Sequence, residues 1–312
     1  MARFAGRLGL VDVPGARSSH VAPTPRGGGI GILAAFIFAA WTLGIPWGLW
    51  LPATAIALVS FFDDRLDLSP KVRLLFQFFA AFLVFFALRH NALAFLPLVL
   101  LAPFIAVYIV GTTNFFNFMD GINGIAGVTG LVAFSFVAWF SAAVTAPTYL
   151  SGSALGIAMA CLGFLPLNLP KAKVFMGDVG SILLGFCFAA FVVSLAGSFA
   201  DILCLNFFMF PFYADALYTL FIRWRDGERL SQAHRRHLYQ VLSNELGFPH
   251  WQVTLGYGVC QLLCGGLMIL AWQYGLLWQL GLWLAGGALF ILFSRRIRRL
   301  VVSKNCANVR QT

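Results

Sequence analysis

Acidic residues are scarce in this chain. Eleven Asp and Glu are spread over 312 residues, and charged side chains of both signs make up only 10% of it. Soluble domains carry about a quarter charged residues, so a water-soluble globular protein is excluded at the outset. No polar stretch is long enough to stand in for a soluble domain: the longest, Arg223 to Gln252, is too short to build its own core. No Cys-x-x-Cys pair occurs, and five of the six cysteines fall in apolar runs, where they read as small buried hydrophobes and not as a disulfide framework. The spacing of a phosphate-binding Walker loop is missing, as is the His-Glu-x-x-His zinc pattern. The residues after Met1 are polar and basic without an apolar core, which predicts no secretory signal and a start on the cytoplasmic side.

What the chain does have is apolar length. Hydrophobic residues make up 60% of it, and runs long enough to cross a bilayer recur from Gly28 to Phe293. The reading is an all-α, polytopic transmembrane helical bundle of about ten spans. They are placed at 29–45, 47–62, 72–89, 95–112, 121–143, 149–166, 181–198, 202–222, 254–272 and 276–293. The whole of 1–312 is taken as one membrane domain, with a cytoplasmic N-terminal segment 1–27, a His/Arg loop 223–253 and a basic tail 295–312. Of 21 Lys and Arg residues, only Arg89 falls on the second side, which puts the other loops in the cytoplasm of a multi-pass inner (plasma) membrane protein. A net charge of +10 then describes a basic inner face, suited to anionic lipid and to phosphorylated ligands. Nucleic acid is not expected, because there is no separate basic domain to hold it.

The few acids collect on that face. Asp63, Asp64 and Asp67 close one span in FFDDRLDLSP, Asp120 opens another in NFFNFMDGING, and Asp178 precedes a third in NLPKAKVFMGDVGS. In the first motif Ser69 and Pro70 read as the start of the next helix, but two adjacent carboxylates against Phe62 ask for a cation or a proton to serve. In the second, helical steps of about 100° bring Asn114, Asn117, Gly121 and Gly124 into one stripe with Asp120 at its edge. That stripe is either close helix packing or, through its amide and carboxylate oxygens, a hard-cation site. Asp178 and Ser181 either cap a helix or serve that same site. Further on, AHRRHLYQ groups His234, Arg235, Arg236 and His237 as a basic juxtamembrane helix against lipid or a clamp for a nucleotide diphosphate. Asp215, inside a span, pairs with an Arg or a backbone donor or else has a function.

The ordered set DVPGARSSH…PTPRGGG, FFDDRLD, NFFNFMDGING, NLPKAKVFMGDVGS and AHRRHLYQ closely resembles the polyprenyl-phosphate N-acetylhexosamine-1-phosphate transferases. That family includes the enzymes that start O-antigen and teichoic-acid synthesis and the phospho-N-acetylmuramoyl-pentapeptide translocase. The Arg-rich His loop and the acid pattern look like the O-antigen branch. The resemblance implies transfer of an N-acetylated hexosamine 1-phosphate from a UDP-sugar donor to an undecaprenyl phosphate acceptor in the bilayer. The products are undecaprenyl-diphospho-sugar and UMP, Mg2+ or Mn2+ is the cofactor, and a homodimer is allowed. Carried over motif by motif, it implies that Asp178 and Asn117 hold the metal and that Asp63, Asp64 and Asp120 are catalytic acids. Asn168 falls near uracil, and His234, Arg235, Arg236 and His237 receive the diphosphate. Asn114, Arg17, His20 and Arg26 are further substrate-binding candidates.

Two departures stand out. The second acid of the family's DGxDG pattern is Asn123 here, and the membrane helix that usually precedes DVPGARSSH is missing, as in a shortened start. A transporter of phosphorylated sugars is the competing class, but it would place polar residues near the midplane of two related halves, and no internal repeat is found. A non-catalytic membrane scaffold ranks third.

Overall fold

A computed structural model describes residues 11–12, 14, 23–66, 68–88, 98–230, 232 and 234–309, without the side chains of 64, 65, 88, 98–100 and 305–309. Arg17, His20 and the side chain of Asp64 lie outside this description.

A short antiparallel pair, β1 (Val11–Asp12) and β2 (Thr24–Pro25), precedes the helices. Then follow α1 (Gly28–Thr42), α2 (Trp47–Leu66), α3 (Pro70–Leu88), α4 (Leu98–Phe118), α5 (Ile125–Ala143), α6 (Thr148–Asn168) and α7 (Gly177–Leu195). After these come α8 (Phe199–Phe207), α9 (Phe210–Arg225), the short α10 (Leu238–Gln240) with a π turn over Val241–Glu245, α11 (His250–Tyr274) and α12 (Leu276–Val309).

Seven of these helices are long and apolar enough to cross a membrane, and the pair α8 and α9, bent by 89°, makes an eighth if counted as one span. Gly28–Thr42 and Trp47–Asp63 are apolar but shorter. Each of the ten anticipated intervals therefore holds a helix, while the count that passes on length and composition is seven or eight. The protein is a multi-pass helical membrane protein.

The centre of the bundle is α7, buried on nearly every side and packed against α1, α2 and α4. A helix that is apolar all round belongs in such a position. Its approach to α1 depends on two glycines: a Cβ on Gly29 would lie 2.3 Å from the Gly180 nitrogen. Small residues let helix backbones come this close in a membrane, where packing and not water exclusion drives association. The bend between α8 and α9 exposes backbone carbonyls at membrane depth, and Gln261 of α11 answers one of them. Its Nε2 donates to the Phe208 carbonyl at 2.7 Å and to that of Thr129 at 3.2 Å. Buried irregular backbone is tolerated in a membrane only when its groups are paired in this way.

Several helix ends differ from the sequence expectation, and each difference falls at the polar end of the bundle. The helix α2 runs on to Leu66, so Asp63 and Asp64 sit in its last turns and not in a loop. Conversely, α4 stops at Phe118 and α5 begins only at Ile125, after Gly124 at φ 81°. A left-handed residue interrupts the helix, and glycine takes that conformation without the Cβ penalty. The anticipated stripe is thus broken: Asn114 and Asn117 are helical, while Asp120, Gly121 and Asn123 form the turn beyond. The anticipated span 181–198 begins earlier, at Gly177, so Asp178 lies in its first turn. The tail from Arg295 is not a loose segment but the continuation of α12.

Candidate active site

The four polar segments converge because the bundle folds their helix ends together. Phe175, in the α6–α7 connection, receives the β2 segment: its N–H donates to the Pro25 carbonyl at 2.8 Å, and its carbonyl accepts from Gly28 at 2.9 Å. Arg26 is thereby carried to the same cavity wall as Asp178, and its guanidinium pairs with Asp12 at 2.8 Å. The end of α4 meets the start of α7 through Asn117, whose Nδ2 donates to Asp178 Oδ1 at 3.1 Å and to Ser181 Oγ at 2.9 Å. Of the two readings open from sequence, capping by Asp178 or Ser181 does not occur. Asp178 instead projects from the first turn, where the helix dipole favours a negative charge.

Arg73, one turn into α3, links two acids. Its Nη1 lies 3.1 Å from Asp63 Oδ2 and 3.9 Å from Asp178 Oδ2. Asp63 is buried and also accepts the Leu68 N–H at 2.8 Å. These residues face a cavity of about 610 Å3, with Asn114, His234 and His237 on its wall and apolar flanks at Ile56, Val59 and Leu74. A second, more polar cavity of about 240 Å3 is lined by Arg26, Asp120, Asn123, Asn168 and His250 among others. Asn117, Asp178 and Gln240 belong to both.

The remaining candidates hold structure together as much as they face the cavities. Asn168 is buried, accepts the Gly124 N–H through Oδ1 and donates to the Val174 carbonyl at 2.7 Å. It clips the start of α5 to the α6–α7 connection while lining the smaller cavity. Asn114 Nδ2 donates to Gln77 Oε1 at 2.6 Å and to its own helix at the Val110 carbonyl, 2.8 Å. Arg235 and Arg236 are not among the residues that line either cavity. Arg236 is committed elsewhere, paired with Asp226 at 2.6 Å and with Glu228. Those guanidiniums, with Arg225 beside Asp226 and Arg223 beside Glu228, hold both carboxyls below their ordinary range.

Arg223 was not foreseen. It is 2% exposed at the end of α9, donates to Glu228 and to the carbonyls of Arg229, Leu230 and Gln232, and thereby shapes the loop that carries the histidines. A cation at a helix end reads in sequence as a membrane-interface anchor, which hides this role. His250, Gln240 and Gln77 were missed too, and no local pattern marks them. Tyr239 fills the gap beside Gly121, where a Cβ would meet its Oη at 2.2 Å, and it donates to the Phe118 carbonyl at 3.0 Å. The close approach foreseen at that glycine is made by a tyrosine.

Residues 46–196 match the family model described as glycosyl transferase family 4. The decaprenyl-phosphate N-acetylglucosaminephosphotransferase of Mycobacterium tuberculosis is 30% identical over 81% of this chain and 73% of its own length. The chain belongs to glycosyl transferase family 4. Two further relatives frame its position within that family. The probable undecaprenyl-phosphate N-acetylglucosaminyl 1-phosphate transferase of Bacillus subtilis is 27% identical over 77% of this chain and 71% of its own. The phospho-N-acetylmuramoyl-pentapeptide-transferase of Halalkalibacterium halodurans is 28% identical over 79% and 82%. This family 4 protein is an enzyme, a phosphotransferase.

In this family 4 enzyme the loop histidine His234 is neutral at ordinary pH. Partial burial, then the neighbouring His237 ring and Arg223 guanidinium, push it down from 6.5 to about 4. Between those values the unfolded chain binds a proton at this ring that the folded chain refuses. Stability therefore falls as pH drops through that window and is unaffected above it. The ring is only half buried, which limits the effect to about 1 kcal/mol after solvent screening. In detergent, the melting temperature should fall between pH 6.5 and 4, and His234→Gln should flatten that slope; an unchanged slope would show that other groups set it.

Proposed function

We propose that this enzyme transfers an N-acetylated hexosamine 1-phosphate from a UDP-sugar to undecaprenyl phosphate, releasing UMP. We place its active site on the cytoplasmic face of the inner membrane, where the product would initiate O-antigen or another cell-surface polysaccharide. The observation that carries the proposal is the wall of Asn117 and Asp178 shared by two cavities of different character. The larger, with apolar flanks among the helices, suits a lipid phosphate, and the smaller and more polar one suits the nucleoside end of the donor. The diphosphate then spans the shared wall. The basic loops support the cytoplasmic assignment through the positive-inside rule.

The residues present fit a divalent cation of the Mg2+ kind. The shared wall offers only hard oxygen donors, and among the described residues no cage of three or more His, Cys, Asp or Glu is formed. Mg2+ is held in just this manner, by one or two carboxylates plus substrate phosphates, its other positions filled by water. Asp178 would hold it, with Asn117 fixing the carboxylate and offering its amide oxygen. Bound there, the ion neutralises the diphosphate charge that opposes the approach of a second anion.

The protein's own task is to bring two anions together and to aim them. An oxygen of the lipid phosphate attacks the sugar-bearing phosphorus; that P–O bond forms as the bond to the uridine-bearing phosphate breaks, and UMP leaves with the electron pair. Phosphoryl transfer of this type needs positioning and charge relief more than covalent help. A phosphate monoester has a second pKa near 6, so the nucleophile is already largely ionised at neutral pH. Asp63, held by Arg73 and the Leu68 N–H, is suited to orienting that guanidinium toward the incoming phosphate. This favours a single displacement over an aspartyl intermediate. His234 and His237 supply donors along the larger cavity.

The test is a panel of UDP-N-acetylhexosamines assayed with undecaprenyl phosphate and Mg2+ in detergent. At least one donor should release UMP only when lipid and metal are both present. Silence across the whole panel would defeat the proposal.

A further inference from the structure

Asp215 lies in the middle of α9 and is fully buried. An acid at membrane depth is costly unless it is paired. Here it is surrounded by donors. Its Oδ1 accepts the Leu238 N–H at 2.7 Å and the Thr219 hydroxyl at 3.1 Å. Its Oδ2 accepts the Tyr257 hydroxyl at 2.7 Å and the Tyr239 N–H at 3.2 Å. These donors come from α9, α10 and α11. Arg298 of α12 closes the set by donating to the Arg236 carbonyl at 2.7 Å, one residue before His237.

His237 is the group on which they converge. Its Nδ1 lies 3.7 Å from Asp215 Oδ1, just beyond hydrogen-bond length. The ring is buried on the wall of the larger cavity, and neither of its nitrogens has a hydrogen-bond partner. Leaving a buried polar group unpaired is unfavourable, and one that faces a cavity calls for an explanation. Contacts in a ligand-free site are often long and tighten only in the complex. A ring between a carboxylate on one edge and a phosphate on the other has acceptor-only neighbours on both sides, so both of its nitrogens donate.

We infer that Asp215 is a positioning residue. It holds the His237 ring through Nδ1 and turns Nε2 toward the diphosphate of a nucleoside-diphosphate sugar where that diphosphate crosses the shared wall into the larger cavity. The inference rests on the donor proposed above. The alternative is that Asp215 only anchors the loop through backbone N–H groups, and the two differ in whether its effect passes through His237.

A double-mutant cycle on the full-length protein separates them, with UDP and Mg2+ as the probe and the UDP dissociation constant as the readout. His237→Gln should weaken UDP binding about tenfold, the usual scale for one charge-assisted hydrogen bond. Asp215→Asn should weaken it roughly five- to tenfold, and the double variant should be no weaker than His237→Gln alone. Losses that multiply would overturn the inference while leaving the donor proposal intact. If Asp215→Asn does not fold, Tyr257→Phe takes its place, since it removes one donor to Oδ2 and does not line the larger cavity. It should weaken UDP binding about threefold in the native background and not at all with His237→Gln, and an equal loss in both backgrounds would overturn the inference. An unsubstituted protein that binds no UDP would defeat the donor proposal and this inference with it.

Discussion

Asp178→Asn is expected to lower UMP release by about a thousandfold or more, with little change in melting temperature. Among the described residues Asp178 is the only carboxylate common to both cavities, and it is tied to Asn117 at 3.1 Å and within 3.9 Å of Arg73. Neutralising it removes the anionic ligand from the place where the charges of two substrates meet. It also leaves Arg73 to its closer partner, Asp63. One preorganised electrostatic contact to a developing charge is typically worth ~10^2–10^3 in turnover, and loss of the metal with it adds to that. The effect on folding is small by comparison. The side chain is about a third exposed and makes no capping bond, so the loss is that of a charge near a helix N-terminus, about 0.3–1 kcal/mol. UMP release and thermal melting measured on the same preparations decide the matter. A fall in activity no larger than the fall in folded protein would make Asp178 structural. At the activity that remains, half-maximal turnover should need more Mg2+ than in the unsubstituted enzyme.

The helices of this protein were legible in its sequence because a run of twenty apolar residues has few other uses. Their ends were less so, and the site is built from the ends. Asp63 was read as a loop residue because acids in a hydrophobic chain look like membrane exits; α2 simply continues for another turn into the polar layer. Asn114 to Gly124 was read as one helical stripe because the spacing allows it. The helix stops at Phe118, ahead of Asp120, and the next begins only after Gly124 at positive φ, so Asp120 faces a different cavity from Asn114. The meeting of Asn117 with Asp178, by contrast, was expected only through the family resemblance. Residues 61 apart are brought together by packing of α4 on α7, which no local pattern encodes. The basic loop shows the same limit. Four charged or imidazole side chains in sequence suggest four ligands, but Arg236 turns to Asp226 and Glu228, and only the two histidines line the cavity. Arg223 and Asp215, which organise that loop from within, are single polar residues in apolar helices, and their partners lie on segments no periodicity connects to them.

The turn after α4 separates two residues that family comparison would treat as a pair. Asp120→Asn should cut turnover at least a hundredfold, whereas Asn123→Asp should keep activity within about threefold and lower the Mg2+ needed for half-maximal rate. Both residues line the smaller cavity, but they are held differently. Asp120 follows two residues after the end of α4, its N–H bonded to the Asn117 carbonyl at 3.2 Å, so it moves with the asparagine proposed to serve the metal. Its charge adds to that of Asp178 beside the proposed diphosphate. Asn123 is fixed mainly through its backbone, whose N–H donates to His250 Nδ1 and whose carbonyl accepts from Thr254 at 2.7 Å. Substitution of the side chain leaves both bonds in place. What the change removes is the Nδ2 bond to the Pro170 carbonyl, an exposed contact of 3.3 Å, worth about 0.5–1.5 kcal/mol at most. What it adds is a negative charge in the cavity, which draws a cation. Because the added charge also faces Asp120, the gain in cation binding should be modest and should shrink at high salt, where screening shortens the reach of both. Mg2+ titrations of UMP release for the two variants, at low and high ionic strength, give the comparison. Equal losses from both substitutions would mean that Asn123 touches substrate through its amide, and that the missing acid was replaced by a ligand and not merely removed.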